Sequence, residues 1–316
     1  MKNLLFRIVA VTGICLLLLS FRGYLAKPLQ SDWPEYLGGA DRNHYSSLSK
    51  INTANVKSLK PVWEFHTGDS GQVQCNPIII ENRLYAVTAS NHLFALNAAT
   101  GQELWRFSPE SKGASNVNRG VAYWSKGKDK RIMFAFQTWL YAVNAITGKP
   151  ILSFGDGGRV SLKSGLGEES ATKFVSSTTP GTIFGDLIIM PMRLGEGTGS
   201  APGYIQAFNV RTGKLAWVFK TIPHPGEPGY ETWPADAYKN PAIGAANNWA
   251  GMAVDRKRGI LYVPTGSASF DFYGGNREGK NLYANSLIAL NARTGEYIWH
   301  FQTVHHDIWD RDIPAP

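Results

Sequence analysis

Four stretches of this chain repeat one another: Leu93-Phe-Ala-Leu-Asn-Ala-Ala-Thr-Gly-Gln-Glu-Leu-Trp-Arg-Phe107, Leu140-Tyr-Ala-Val-Asn-Ala-Ile-Thr-Gly-Lys-Pro-Ile-Leu-Ser-Phe154, Ile205-Gln-Ala-Phe-Asn-Val-Arg-Thr-Gly-Lys-Leu-Ala-Trp-Val-Phe219 and Leu287-Ile-Ala-Leu-Asn-Ala-Arg-Thr-Gly-Glu-Tyr-Ile-Trp-His-Phe301. Asn97, Asn144, Asn209 and Asn291 each stand four residues before a glycine, and Trp105, Trp217 and Trp299 four residues after it. Leu152 takes the Trp place in the second copy. The first arm is apolar and β-forming, the Asn bonds its own backbone to start a turn, and the Gly supplies positive φ. Each copy therefore predicts a β-hairpin. Residues four apart in a strand share a face, so the Trp points the same way in every copy. A lone hairpin cannot bury an indole, and the units must stack.

Working outward, apolar runs at Pro77–Ile80, Leu84–Thr88, Ile132–Gln137, Leu187–Met190 and Ile260–Pro264 are candidate inner strands. The glycines recur at spacings of 47, 65 and 82 residues; the shortest fits a four-stranded blade, and the longer two require inserted loops. The expected fold class is all-β, a β-propeller of four-stranded blades with Trp motifs, in preference to a β-solenoid or sandwich. An earlier segment, Leu59-Lys-Pro-Val-Trp63-Glu-Phe65, has the Trp arm without the hairpin before it. Four full units and one partial unit make roughly half of a large propeller.

Composition agrees. Among 316 residues only 18% are charged, with Gly 33, Pro 17 and Trp 10, which excludes coiled coils and helical bundles. The formal charge of +8 includes Lys2, Arg7 and Arg22, and a chain starting at Lys27 would carry +5. The densest basic cluster, Lys126 to Arg131, contains Asp129 and reads as a hairpin tip, so no nucleic-acid partner is expected. Residues 1–26 read as a signal peptide or N-terminal anchor: Lys2 and Arg7 precede the apolar stretch Ile8–Ser20, and Ala26 offers a cleavage point. That stretch is shorter than the ~20 residues of a membrane span. Export would leave Cys75 as the single thiol and no internal disulfide. Residues 27–316 are then one partial propeller domain.

Chemistry-bearing residues gather between the strands. The segment Gln302-Thr-Val-His-His-Asp-Ile-Trp-Asp-Arg-Asp-Ile-Pro-Ala-Pro316 packs two His, three Asp, an Arg and a Trp after the last Trp strand. Others are Thr265-Gly-Ser-Ala-Ser-Phe-Asp271-Phe-Tyr-Gly-Gly-Asn276, Asn247-Asn248-Trp249-Ala250, Arg193-Leu-Gly-Glu196 and Asn118-Arg119-Gly120-Val-Ala-Tyr-Trp124. Singly each is ordinary, since a lone Trp is usually core and a lone Arg usually surface.

Taken together, and with Trp33-Pro-Glu-Tyr, Ile222-Pro-His-Pro-Gly-Glu-Pro-Gly-Tyr-Glu-Thr-Trp233 and His305-His-Asp-Ile-Trp-Asp310, they resemble the pyrroloquinoline quinone (PQQ) dehydrogenases of the quinoprotein glucose dehydrogenase type. The resemblance runs from about Trp33 to the end. It implies an eight-bladed propeller, of which this chain covers about half, with PQQ and Ca²⁺ (or Mg²⁺) on the axis. Asp307 matches the catalytic base that takes a hydroxyl proton. Trp249 matches the aromatic floor beneath the quinone, and Arg119 a residue pairing with cofactor carboxylates. Gln74, His92 and Thr178 complete the implied cofactor contacts. Glu196 falls where a family carboxylate binds the metal; Ser267 stands where alcohol-oxidising relatives carry an Asn ligand, and Asp271 is a candidate to compensate. The vicinal Cys pair of those relatives is replaced by Thr88-Ala-Ser-Asn-His92.

The resemblance thus implies a periplasmic, exported enzyme, membrane association through its N-terminus being one reading. Its substrate would be an aldose sugar such as glucose or a related polyol, and its electrons would pass to a respiratory acceptor, ubiquinone or cytochrome c. The alternatives are a PQQ-dependent alcohol dehydrogenase and a non-catalytic scaffold for outer-membrane protein assembly.

Overall fold

A computed structural model describes residues 32–109 and 117–316; the expected signal peptide or anchor, 1–26, lies outside them. Contacts divide the described chain into two units. Residues 46–60 hold a single 3₁₀ turn, Val56–Ser58, preceded by Asn55, whose side-chain oxygen accepts from the Asn52 amide at 2.9 Å. The other unit, residues 32–45 and 61–316, holds every strand. Among the described residues there is no α-helix, and no helix long and apolar enough to cross a membrane.

Four antiparallel sheets of four strands follow one another. The first is β1 (Ile78–Ile80), β2 (Arg83–Val87), β3 (Leu93–Asn97) and β4 (Glu103–Phe107), paired in that order. The second is β5 (Ala122–Lys126), β6 (Asp129–Phe136), β7 (Trp139–Asn144) and β8 (Arg159–Ser161). After β9 (Val175–Ser176), the third is β10 (Thr182–Phe184), β11 (Leu187–Met190), β13 (Ile205–Asn209) and β14 (Leu215–Phe219), and β12 (Arg193–Leu194) leaves it to pair with β9. The two-residue strands β15 (Gly244–Ala245) and β18 (Ala268–Ser269) likewise pair with each other. The fourth sheet is β16 (Ala253–Asp255), β17 (Ile260–Pro264), β19 (Ser286–Asn291) and β20 (Tyr297–Gln302). These are propeller blades, and the chain covers part of a propeller.

The repeated hairpin forms as its chemistry requires. Asn97 Oδ1 accepts from the Ala99 and Thr100 amides at 2.9 and 3.2 Å, and the Gly101 amide returns to the Asn97 carbonyl at 2.9 Å. Asn144, Asn209 and Asn291 repeat the pattern. The glycines take φ between 72° and 75°.

That glycine has a second task. The indole of one unit lies flat on the glycine of the next: a Cβ on Gly101 would stand 2.7 Å from Trp63, one on Gly148 2.7 Å from Trp105, and one on Gly295 2.5 Å from Trp217. Trp63 and Trp105 also donate their indole N–H to the hairpin they cover, at the carbonyls of Ala98 (3.2 Å) and Ala145 (3.1 Å). Apolar clusters fill the spaces between neighbouring blades. Ile78, Leu93, Trp105, Ile132 and Phe134 lie between the first two, and Ile205, Trp217, Leu261 and Ile288 between the last two.

The second copy departs from the expected hairpin. Pro150 has no amide to give the ladder, so the returning arm makes only an isolated bridge to Val143, and Leu152 is 70% exposed. A turn at Gly155–Gly158 carries the chain back, and β8 supplies the fourth strand in its place. Val160 and Gly155 cover Gly213 where an indole would lie. On the fourth blade Trp299 is 39% exposed and Phe301 67%, with no hairpin glycine against them among the described residues.

Gly148→Val tests the indole seat. The added side chain collides with Trp105 and is held at φ 72°, so a loss of about 2–4 kcal/mol in urea unfolding is expected. Gly127→Ala, at φ 61° with no atom within 4 Å, is expected to cost only about 1 kcal/mol.

Candidate active site

Blade-to-blade connections and the long loops between second and third strands converge on one cavity of about 550 Å³. Arg119 and Val117 reach it from the β4–β5 connection, Thr178 from the segment after β9, and Arg193 and Glu196 from β12 and its turn. Asn247 and Trp249 follow β15, Ser267 and Asp271 flank β18, and Asp310 and Asp312 follow β20.

One wall is aromatic and basic. The Arg119 guanidinium lies 5.4 Å from the Trp249 ring centre and donates through Nη1 to Thr178 Oγ1 at 2.8 Å. Trp249 is pinned at both ends: its indole N–H donates to Asp312 Oδ2 at 2.6 Å, and its carbonyl accepts from Thr179 Oγ1 at 2.7 Å. Asp312 uses its other oxygen to accept from the Ser267 amide at 2.6 Å. The floor and the β18 loop therefore share one carboxylate.

Four carboxylates share the same lining, Glu196, Asp271, Asp310 and the Asp312 that holds the indole. Burial, then repulsion from Asp310, Asp312 and Glu196, pushes the Asp271 carboxyl up to about 7. Burial, then Asp312 and Glu196, also raises Asp310. Asp312 is raised chiefly by burial, against the hydrogen bonds it accepts. Like charges gathered this way are unfavourable unless a proton or a cation joins them.

Asp307, the sequence-based choice of base, lies directly behind the lining residue Ser267. It is 3% exposed and outside the cavity lining, and both oxygens are occupied. Oδ2 accepts from Ser267 Oγ at 2.5 Å, the Arg311 amide at 2.6 Å and Asn285 at 3.2 Å, while Oδ1 accepts from the Trp309 amide at 3.1 Å. Burial pushes its carboxyl up, but these hydrogen bonds outweigh burial and hold it below the usual carboxylate range. Asp310 lines the cavity and makes no hydrogen bond among the described residues.

Of the other sequence-based choices, Arg119, Trp249, Thr178, Glu196, Ser267 and Asp271 meet here. Ser267 lends the cavity little but its wall, because Oγ donates to Asp307 and accepts from Asn285 at 3.1 Å. Gln74 and His92 are outside the lining, which Gln72, two residues before Gln74, borders. The His92 loop is fixed by Asp69, whose Oδ2 accepts from the Ser90 amide at 2.8 Å. Sequence reasoning quoted Arg193, Asn247, Asp310 and Asp312 within their motifs but gave them no role. Gln72 and Val117 carried no signal at all.

The donors suit a hard cation beside an anionic, flat molecule. Asn247 Nδ2 donates to the Met192 carbonyl at 2.6 Å, leaving its amide oxygen beside the carboxylates as a neutral ligand. Among the described residues no three His, Cys, Asp or Glu side chains stand close enough to form a ready metal centre.

A chain of such blades with loops gathered around this cavity matches a known class of β-propeller proteins, the quinoproteins, and the chain belongs to that family. Residues 33–316 match the PQQ family described as "Glucose/ethanol/alcohol dehydrogenase, beta-propeller domain". The chain is 35% identical to quinoprotein glucose dehydrogenase A of Acinetobacter calcoaceticus, over 90% of this chain and 39% of that protein. It is 33% identical to the quinate/shikimate dehydrogenase (quinone) of Acinetobacter baylyi (strain ATCC 33305 / BD413 / ADP1), again over 90% of this chain and 39% of the relative. The solved quinohemoprotein alcohol dehydrogenase from Comamonas testosteroni superposes with a TM-score of 0.77 at 26% identity, covering 93% of this chain and 44% of that one. The chain thus spans about two fifths of the length of the proteins it resembles.

The raised Asp271 has a measurable consequence. Because its pKa is higher folded than unfolded, its ionisation opposes folding. Stability is full below the ordinary carboxylate range and is lost as pH rises to about 7. Chemical unfolding of cation-free protein between pH 4 and 7 is expected to show this decline, and Asp271→Asn to flatten it.

Proposed function

We propose that this chain supplies the cofactor pocket of a PQQ-dependent dehydrogenase that oxidises the CH–OH group of an aldose or related polyol. The observation that carries the reading is the convergence, in one cavity, of an arginine over an indole with four carboxylates. Arg119 and Arg193 would pair with the carboxylates of PQQ, and Trp249 would lie beneath its ring. Glu196, Asp271 and the Asn247 oxygen would hold Ca²⁺ or Mg²⁺, offsetting the burial and the repulsion that together raise Asp271. Bound PQQ supplies the acceptor for hydride, which no side chain here can provide.

The proton falls to this chain. Asp310 borders the cavity with an unengaged carboxylate, and its raised pKa makes it a better base than an ordinary aspartate. Asp307 has no oxygen to spare and serves as the strut that holds Ser267 and the 309–311 turn. Glucose and quinate, named by the relatives, both carry several hydroxyls. The polar lining of Gln72, Asn247 and Arg193 suits such a substrate. In this reading the protein acts in the periplasm and passes electrons to ubiquinone or cytochrome c.

The test uses the full-length protein, reconstituted with PQQ and Ca²⁺, in dye reduction over a panel of aldoses, polyols and simple alcohols. Asp310→Asn is expected to lower kcat by about 10²–10⁴-fold. Asp307→Asn is expected to act mainly on stability, and Asp310→Asn turning over at the wild-type rate would remove the base from that position. Added PQQ and Ca²⁺ at 100 times Kd should stabilise the protein by about 2.7 kcal/mol; no shift would favour a binding scaffold.

A further inference from the structure

Arg277 is fully buried, and the chemistry above makes no use of it. It lies outside the cavity lining, in the turn after Gly274-Gly275. Its Nη2 donates to two carbonyls, Asp307 at 2.5 Å and Phe270 at 3.2 Å. Its Nη1 donates to Asn281 Oδ1 at 2.7 Å, and Asn281 returns a hydrogen bond to the Arg277 carbonyl at 2.6 Å. Asn281 is itself fixed, its amide donating to the Thr232 carbonyl at 3.0 Å.

This is an unusual use of a buried cation. Taking a guanidinium out of water costs several kcal/mol, yet here no carboxylate bonds to it directly. The acidic groups that act on it are Asp307 and Asp271, at a distance, while burial lowers its pKa. The two carbonyls it reaches belong to the residue just before Asp271 and to the first residue of the 307–312 segment. One nitrogen therefore joins the two stretches that deliver the acidic residues. A lysine could not reproduce this, because a single ammonium lacks the fork that reaches carbonyls and amide together.

We infer that Arg277 is a positioning residue that sets the spacing of Asp271 against Asp310 and Asp312, and so the affinity of the cavity for its cation. This rests on the PQQ-and-cation reading above. The guanidinium also places a fixed positive charge near Asp271, where it favours the ionised carboxylate.

The experiment compares full-length wild type with Arg277→Lys, Arg277→Gln and Asn281→Ala. Ca²⁺ is titrated calorimetrically into PQQ-free protein whose folding is verified by circular dichroism. Every variant that folds is expected to bind Ca²⁺ at least roughly fivefold more weakly, as supports behind metal ligands commonly do when removed. A residue that merely stabilised the fold would lower the urea midpoint and leave the Ca²⁺ affinity of the folded protein unchanged. Any smaller loss of affinity in the folded variants overturns the inference while leaving the cofactor reading standing. Wild-type protein that binds neither Ca²⁺ nor PQQ overturns both.

Discussion

The flat contact of an indole on a glycine is the constraint from which the rest of this architecture follows. A tryptophan can lie on the turn of the next unit only if that turn lacks a Cβ, and the turn can close only if its residue accepts positive φ. Glycine alone meets both conditions at low cost. Trp105 makes this contact between the first two blades and Trp217 between the last two, Trp63 makes it ahead of the first, and Val160 takes the indole's place between the second and third. Loops can then grow between strands without disturbing the stack, and it is those loops that build the cavity.

That separation explains what could be read in the sequence. The hairpins were legible because their determinants are local: an Asn, a Thr-Gly pair and a Trp at fixed offsets. The inner strands were legible from apolar runs, and β11 and β17 have the bounds the sequence suggested. The second copy shares the Thr-Gly signal but not the hairpin, because Pro150, with no amide to give, diverts the outer strand to β8. The site is less local. The acidic segment was conspicuous, but which Asp faces the cavity was not. His306 and Asp310 adopt φ of 49° and 53°, so the chain there follows neither strand nor helix periodicity. Asp307 and Asp310 consequently differ in direction in a way that counting residues does not reveal. That Gln72 and not Gln74 borders the cavity was illegible for a related reason, since the segment before β1 belongs to no strand.

Electrostatically the pocket is mixed. A guanidinium lies over an indole, and four carboxylates, one of them bonded to that indole, complete the lining. The arrangement is held by buried supports: Asp312 joins the indole to the β18 loop, Asp307 anchors the turn of the acidic segment, and Arg277 ties that segment to the residue before Asp271. Asp307 and Asp312 have both oxygens engaged in the frame, and Arg277 commits Nη1 and Nη2 to it. The groups left with capacity, Glu196, Asp271, Asp310 and the Asn247 oxygen, belong to residues that border the cavity.

Gln72 and Val117 stand outside this frame. They border the same cavity, yet no hydrogen bond holds either side chain among the described residues, and Gln72 is exposed. Variation there alters the size and polarity of the lining without touching the hydrogen-bonded supports behind the other residues. Diversification of the molecules admitted is thereby uncoupled from preservation of the frame, and the fold offers evolution a dial that is separate from its chassis.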